Sequence, residues 1–116
     1  MALKPILWHN PRCSKSRQTL ALLQDRGITP DLRLYLQDPP TSAELVTLQR
    51  QLDRPVAEFI RRREPAFRTA GLTVASDDAA LIAAIVRHPI LLERPILVVG
   101  DKARVGRPPE AVLDLI

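Results

Sequence analysis

Eleven prolines in 116 residues set the scale of what this chain can build. Proline lacks a backbone N–H and fixes its own φ, so it ends helices and stays out of central strands. The prolines run from Pro5 to Pro109 without forming a proline-rich tract, and only four glycines accompany them. They act as punctuation. Short elements separated by turns are expected, with no linker, repeat or low-complexity segment. The length predicts a single domain over residues 1–116 with one core.

Apolar spacing assigns the elements between these stops. Ile6 to Trp8, "ILW", reads as a short buried strand after Pro5. Ser14 to Arg26 reads as a helix, with Leu20 and Leu23 on the side of Ser16 and Cys13, and Gly27 as its stop. "DLRLYLQD" alternates, which predicts a second strand with Leu32, Leu34 and Leu36 on one face. Thr41 and Glu44 stand at capping-box spacing before a stripe of Leu45, Leu48 and Leu52. A short helix around Val56, Phe59 and Ile60 runs into "RRR". Ser76 is expected to cap a further helix that buries Leu81, Ile82, Ile85 and Val86. "PILVVG" predicts a buried strand, "GDKA" a turn and "ARVG" its hairpin partner. Pro108 or Pro109 then opens a last helix.

The order is β-α-β, a helical insert, then β-β-α. The first two strands are expected to be parallel, joined by a right-handed crossover, and the last two antiparallel. This predicts an α/β, four-stranded mixed sheet flanked by helices, with a helical insert between the second and third strands. It is the layout of a thioredoxin-like fold.

Composition removes several function classes. Aromatics are only 3% of the chain, so stacking platforms for nucleic acid are nearly absent, and the net charge of +4 implies no more than a mild pull on anions. No apolar run approaches the roughly 20 residues of a membrane span. The apolar stretch in "MALKPILWHN" is too short for a signal peptide. A single cysteine forbids an intrachain disulfide, which fits a reducing, cytoplasmic setting. No His/Cys cluster has metal-ligand spacing, and no glycine-rich phosphate loop is present.

That cysteine, Cys13, lies in "WHNPRCSKSR", where a strand gives way to a helix. The unpaired N–H groups and dipole of a helix start favour a thiolate and bind anions. Arg12, Lys15 and Arg17 add positive charge, and His9 would add more if protonated. A small buried hydrophobe is the ordinary role of a lone cysteine. The polar junction instead marks Cys13 as a nucleophile. Cys13 to Arg17 is C-x3-R, unlike the C-x5-R loop of cysteine phosphatases. Cys13 to Ser16 is C-x-x-S, so an oxidised intermediate needs an outside thiol to resolve it.

"HNPRCSKSRQTL" resembles the active-site signature of the glutaredoxin-dependent arsenate reductase family. "YLQDPPTSAELVTL", "HPILLERPILVV" and "GRPPEAVL" resemble its later blocks in the same order, so the resemblance covers nearly the whole chain. It implies a thioredoxin-like core with a helical insert. It implies that Cys13 is the catalytic cysteine and that His9 helps ionise it. Three arginines hold the oxyanion in that family. Arg94 in "LLERPI" and Arg107 in "VGRPPE" match two of them. The third falls in "IRRRE", where an ungapped alignment from Cys13 selects Arg61, with Arg62 and Arg63 adjacent. Ser16, Arg17 and Pro95 take supporting positions. Pro95 matches the proline that thioredoxin-like folds place in cis beside the active cysteine, so a cis Arg94–Pro95 bond is expected.

The resemblance further implies reduction of arsenate to arsenite through a thioarsenate adduct on Cys13. Glutathione is then a co-substrate and glutaredoxin a partner, with no bound cofactor, nucleic acid or membrane. Two other readings stand beside it: an Spx-like redox regulator that binds RNA polymerase, whose usual C-x-x-C is absent here, and a thiol reductase of another substrate. "SKS" after Cys13 differs from the "GTS" of well-studied reductases. It puts Lys15 at the helix start, where it either strengthens anion binding or narrows the pocket.

Overall fold

A computed structural model describes residues 4–116. Its close contacts form two units, one holding the chain up to Asp38 together with Arg94–Ile116, the other Pro39–Glu93. The second unit is the helical insert expected between the second and third strands.

The first unit is built on a four-stranded sheet: β1 (Ile6–Trp8), β2 (Asp31–Arg33), β3 (Ile96–Val99) and β4 (Lys102–Val105), in the order β2-β1-β3-β4. β1 pairs parallel with β2 and antiparallel with β3, and β3 pairs antiparallel with β4. Helix α1 (Ser14–Asp25) connects β1 to β2. Gly27, at φ 76°, takes the left-handed conformation that ends the helix. Leu7, Leu23, Leu97 and Val112 are fully buried together, with Leu20, Ile28, Val99 and Leu115 packed against them. Each large aliphatic side chain so buried is worth about 1.5–3 kcal/mol. This cluster anchors the end of β1 and one face of α1, and so fixes the loop between them.

The structure corrects the second strand. β2 stops at Arg33, because the N–H groups of Gln37 and Asp38 both bond the Leu34 carbonyl and turn the chain away. Leu32 and Leu36 are exposed, and Tyr35 is the buried residue of the stretch. β2 is an edge strand paired on one side only, so little apolar surface covers Leu32. Arg33 instead stacks its guanidinium 5.0 Å from the Trp8 ring centroid. The last helix also differs: Pro109–Leu115 winds as 3-10, with Pro109 in its first turn.

In the second unit, α2 (Ser42–Leu52) opens on the expected capping box. Thr41 accepts from the Glu44 N–H at 3.1 Å, and Glu44 accepts from the Thr41 N–H at 3.0 Å. A 3-10 turn (Val56–Glu58) and a short helix α3 (Pro65–Thr69) follow, then α4 (Asp78–Arg87). Leu45, Leu48 and Leu52 of α2 are buried, as are Leu81, Ile82, Ala84 and Ile85 of α4, and the two helices pack together. Val86 is only half-buried, with Ala84 in its place on the core face. The cap of α4 is Asp77, not Ser76: Asp77 accepts from Ala80, while the Ser76 hydroxyl accepts from the Thr73 N–H at 2.9 Å. The Asp78 carboxylate ties the unit together, accepting from Gln49 at 2.7 Å and from the Val56 N–H at 3.3 Å. Phe59 and Trp8 are core residues, and His88 ends α4.

Among the described residues no helix is long and apolar enough to cross a membrane, and no group of three or more His, Cys, Asp or Glu is arranged to hold a metal ion.

Candidate active site

The loop from β1 to α1 ties itself into one conformation. The Asn10 carbonyl accepts from the Cys13 N–H at 3.0 Å, its side chain accepts from Arg12 at 3.0 Å, and its own N–H bonds the buried Ser16 hydroxyl at 3.1 Å. Arg17 closes the loop by donating to the Pro11 carbonyl at 2.9 Å. Arg17 therefore braces the loop, a supporting role in the literal sense. Cys13 is the N-cap of α1 and is only 9% exposed.

Burial pushes the Cys13 thiol up. The Ser16 N–H, the charge of Arg94, the Lys15 N–H and a hydrogen bond from Arg94 pull it down, and the net value lies below that of an ordinary thiol. The helix start and one distant arginine thus combine to favour a thiolate. Arg107 adds a second guanidinium, its Nη2 4.0 Å from Sγ. Its Nε donates to the Arg94 carbonyl at 3.0 Å, so the two arginines are positioned by one another. The Gly106 N–H bonds the next carbonyl, that of Pro95, at 2.8 Å. Two successive residues leaving β4 thus clasp two successive carbonyls entering β3.

The Arg94–Pro95 bond is cis, as expected, and so is Arg107–Pro108, which the sequence reading does not anticipate.

His9 is buried, and its Nδ1 has no hydrogen-bond partner. Desolvation, then the charge of Arg17, lower its pKa, so the ring is neutral around neutral pH. A protonated His9 pushing Cys13 toward thiolate is not what these surroundings favour; Arg94 and the helix amides carry that effect. Arg61 belongs to the Pro39–Glu93 unit, where it pairs with Glu64 at 2.6 Å and donates to the Ile90 carbonyl at 3.4 Å. Its own N–H bonds Leu91, beside the bridge between Ile60 and Leu92. Arg62 and Arg63 are exposed.

Residues 8–115 match the sequence model of the ArsC family. The chain belongs to that family. The Escherichia coli K12 protein YfgD, itself uncharacterized, is 46% identical to it over 95% of this chain and 94% of its own length. The arsenate reductase of Haemophilus influenzae is 42% identical over 96% and 97% of the two chains. Among solved structures, the arsenate reductase from Vibrio cholerae superposes with a TM-score of 0.94, at 43% identity and over the whole of both chains. The thioredoxin-like fold expected from the element order is the fold of this ArsC chain.

Sequence reasoning missed what holds Arg94 and Arg107 in place. A Cβ on Gly106 would lie 2.7 Å from the Thr19 hydroxyl and 2.8 Å from the Pro95 ring. Both neighbours are stiff and buried. Gly106 is thus required by space, since its backbone must touch both α1 and the start of β3. Thr19 in turn donates to the Lys15 carbonyl at 2.9 Å and so braces the first turn of α1. The glycine before Arg107 in "VGRPPE" was the available signal.

Proposed function

We propose that this ArsC-family chain reduces arsenate to arsenite, with Cys13 as nucleophile and with glutathione and glutaredoxin supplying the electrons. The observation that carries the reading is a thiol with a depressed pKa at a helix start, beside two guanidinium groups. Guanidinium stays charged and offers a fork of donors suited to tetrahedral oxyanions. The names of the relatives, arsenate reductases at comparable length, support the substrate.

In the proposed scheme, Arg94 and Arg107 hold arsenate, and the family resemblance adds Arg61. The Cys13 thiolate attacks arsenic; a sulfur–arsenic bond forms, an arsenic–oxygen bond breaks, and the oxygen leaves as water after taking up protons. Glutathione thiolate then attacks the Cys13 sulfur. A disulfide forms, the sulfur–arsenic electron pair passes to arsenic, and As(V) becomes As(III) and departs as arsenite. Glutaredoxin attacks the glutathione sulfur and frees Cys13 as thiolate. Each cycle oxidises two thiols to one disulfide. The lack of a second cysteine in the chain fits the need for an external thiol. His9, buried and neutral, orients the loop in this scheme and does not act as a cation.

The test is arsenite production from arsenate with glutathione and glutaredoxin. Cys13→Ser is expected to abolish it; retained turnover in that variant would overturn the scheme.

A further inference from the structure

Thr19 is fully buried, and a hydroxyl with no access to water must find its partner inside the fold. It donates to the Lys15 carbonyl at 2.9 Å. The geometry of α1 already gives that carbonyl the Thr19 N–H, four residues on. The carbonyl is thus satisfied without the hydroxyl, and the second bond is surplus to the helix. Back-bonding of this kind in a helix is neutral to slightly destabilising. Its effect is to be sought at the other end of the same amide.

The Lys15 carbonyl and the Ser16 N–H belong to one planar, resonance-stabilised peptide unit. Ser16 is the third residue of α1 and Cys13 is its N-cap. At that spacing a first-turn N–H, unpaired within the helix, faces the cap side chain. Among the groups that draw the Cys13 thiol toward thiolate, the Ser16 N–H stands first, ahead of Arg94 and the Lys15 N–H. A donor on the carbonyl of an amide pulls electron density toward oxygen and leaves its N–H more positive. Such polarisation strengthens the next interaction in the chain by about 10–30%.

The far side of the hydroxyl is also fixed. Its oxygen lies 2.7 Å from where a Cβ on Gly106 would stand, so the hydroxyl fills the space that the glycine leaves. The Gly106 N–H bonds the Pro95 carbonyl at 2.8 Å, and Arg107 donates to the Arg94 carbonyl at 3.0 Å. One buried hydroxyl therefore stands between the start of α1 and the backbone that positions both arginines.

We propose that Thr19 is a positioning residue for Cys13: its hydroxyl, lodged against Gly106, polarises the Lys15–Ser16 peptide unit and so strengthens the N–H that faces the sulfur. The inference rests on the reading of Cys13 as the nucleophile. Its test is made on the thiol itself, so a chain that reduces no arsenate tests it equally well.

The experiment compares Thr19→Ser, which keeps the hydroxyl, with Thr19→Ala, which removes it. Both side chains are smaller than threonine, so neither presses on Gly106, and alanine suits a helix. The charged and titratable groups around the thiol are the same in both variants: Lys15 and Arg17 of α1, His9 before it, and Arg94 and Arg107 beside β3 and β4. The rate of alkylation by iodoacetamide is followed against pH. Thr19→Ala is expected to raise the midpoint by about 0.4 pH unit, and Thr19→Ser to leave it within about 0.1 unit. The limiting rate at high pH is expected to stay at the wild-type value in both, since access to the sulfur does not change. A wild-type midpoint in Thr19→Ala overturns the proposal. An equal rise in both variants also overturns it, because the lost methyl, and hence packing, would then be the cause. The wild-type chain gives an independent reading by NMR: the Ser16 amide proton is expected to move downfield as Cys13 ionises. A Ser16 resonance that ignores the Cys13 titration overturns the proposal even should Thr19→Ala fail to fold.

Discussion

The chain carries two sets of arginines with opposite fates. Arg61, Arg62 and Arg63 are adjacent in sequence, yet Arg61 is held by Glu64 and the Ile90 carbonyl while Arg62 and Arg63 face solvent. Arg94 and Arg107 are thirteen positions apart, yet one bonds the other's carbonyl and both act on Cys13. A run of like charges in sequence spreads over a surface because its members repel and hydrate separately. A working pair requires backbone that brings two distant guanidinium groups to one point and holds them there. Here the β3–β4 pairing does so, since Arg94 precedes β3 and Arg107 follows β4.

The largest expected effect tests the pair directly. Arg94→Ala is expected to lower kcat/KM for arsenate about 10³-fold and to raise the pH midpoint of Cys13 alkylation, since Arg94 acts on the thiol and, in the proposed scheme, also holds the anion. Arg107→Ala is expected to cost about 10²-fold. Arg107→Lys should recover little of it, because one ammonium cannot bond the Arg94 carbonyl and reach toward the sulfur together. Recovery to wild-type rates with lysine would mean that the fork is irrelevant and only charge counts. Gly106→Ala is expected next, as a loss of about 1–3 kcal/mol in stability by chemical denaturation, the usual cost of overpacking. An unchanged midpoint would show that Thr19 and Pro95 yield without strain. Arg61→Ala is expected to lower kcat/KM about tenfold at most, since Glu64 already engages its guanidinium, and Arg62→Ala and Arg63→Ala to leave it within a factor of two or so. A loss at Arg62 larger than at Arg61 would show the alignment to be off by one residue.

These residues also mark how far the sequence was legible. The strand–helix junction at Cys13 was, because a three-residue apolar run, a polar loop and a helix stop at Gly27 are local signals. The stripe Leu45, Leu48 and Leu52 was, for the same reason. "DLRLYLQD" was misread because alternation reveals two faces but not which one a neighbour covers; an edge strand left Leu32 exposed and a turn buried Tyr35. The cap of α4 shifted to Asp77 because Ser76 had a competing donor in Thr73. The clasp between Gly106, Arg107, Arg94 and Pro95 links positions eleven to thirteen apart that flank two strands. Only the hairpin register reveals it.

The smallest expected effect concerns His9, and it separates charge from position. The Cys13 pKa is depressed by Arg94 and the helix amides, while His9 is kept neutral by burial and by Arg17. His9→Gln should therefore barely move the pH midpoint of Cys13 alkylation, whereas Arg94→Ala should move it up. The stability of the fold responds differently. His9 has a lowered pKa in the folded chain, so the unfolded chain binds the proton more readily. Its contribution is fully present above the ordinary histidine pKa of 6.5 and is lost as pH falls below it. Cys13, also depressed, stabilises the fold at a pH above its ordinary value of 9.0 and loses that as pH falls through its folded value. Denaturation midpoints measured from pH 7 down to about 5 should drop less in His9→Gln than in the wild type, while alkylation of Cys13 stays nearly coincident in the two. A large upward shift of the alkylation midpoint in His9→Gln would instead make His9 a cationic partner of the thiol, and the burial argument for its neutrality would fail.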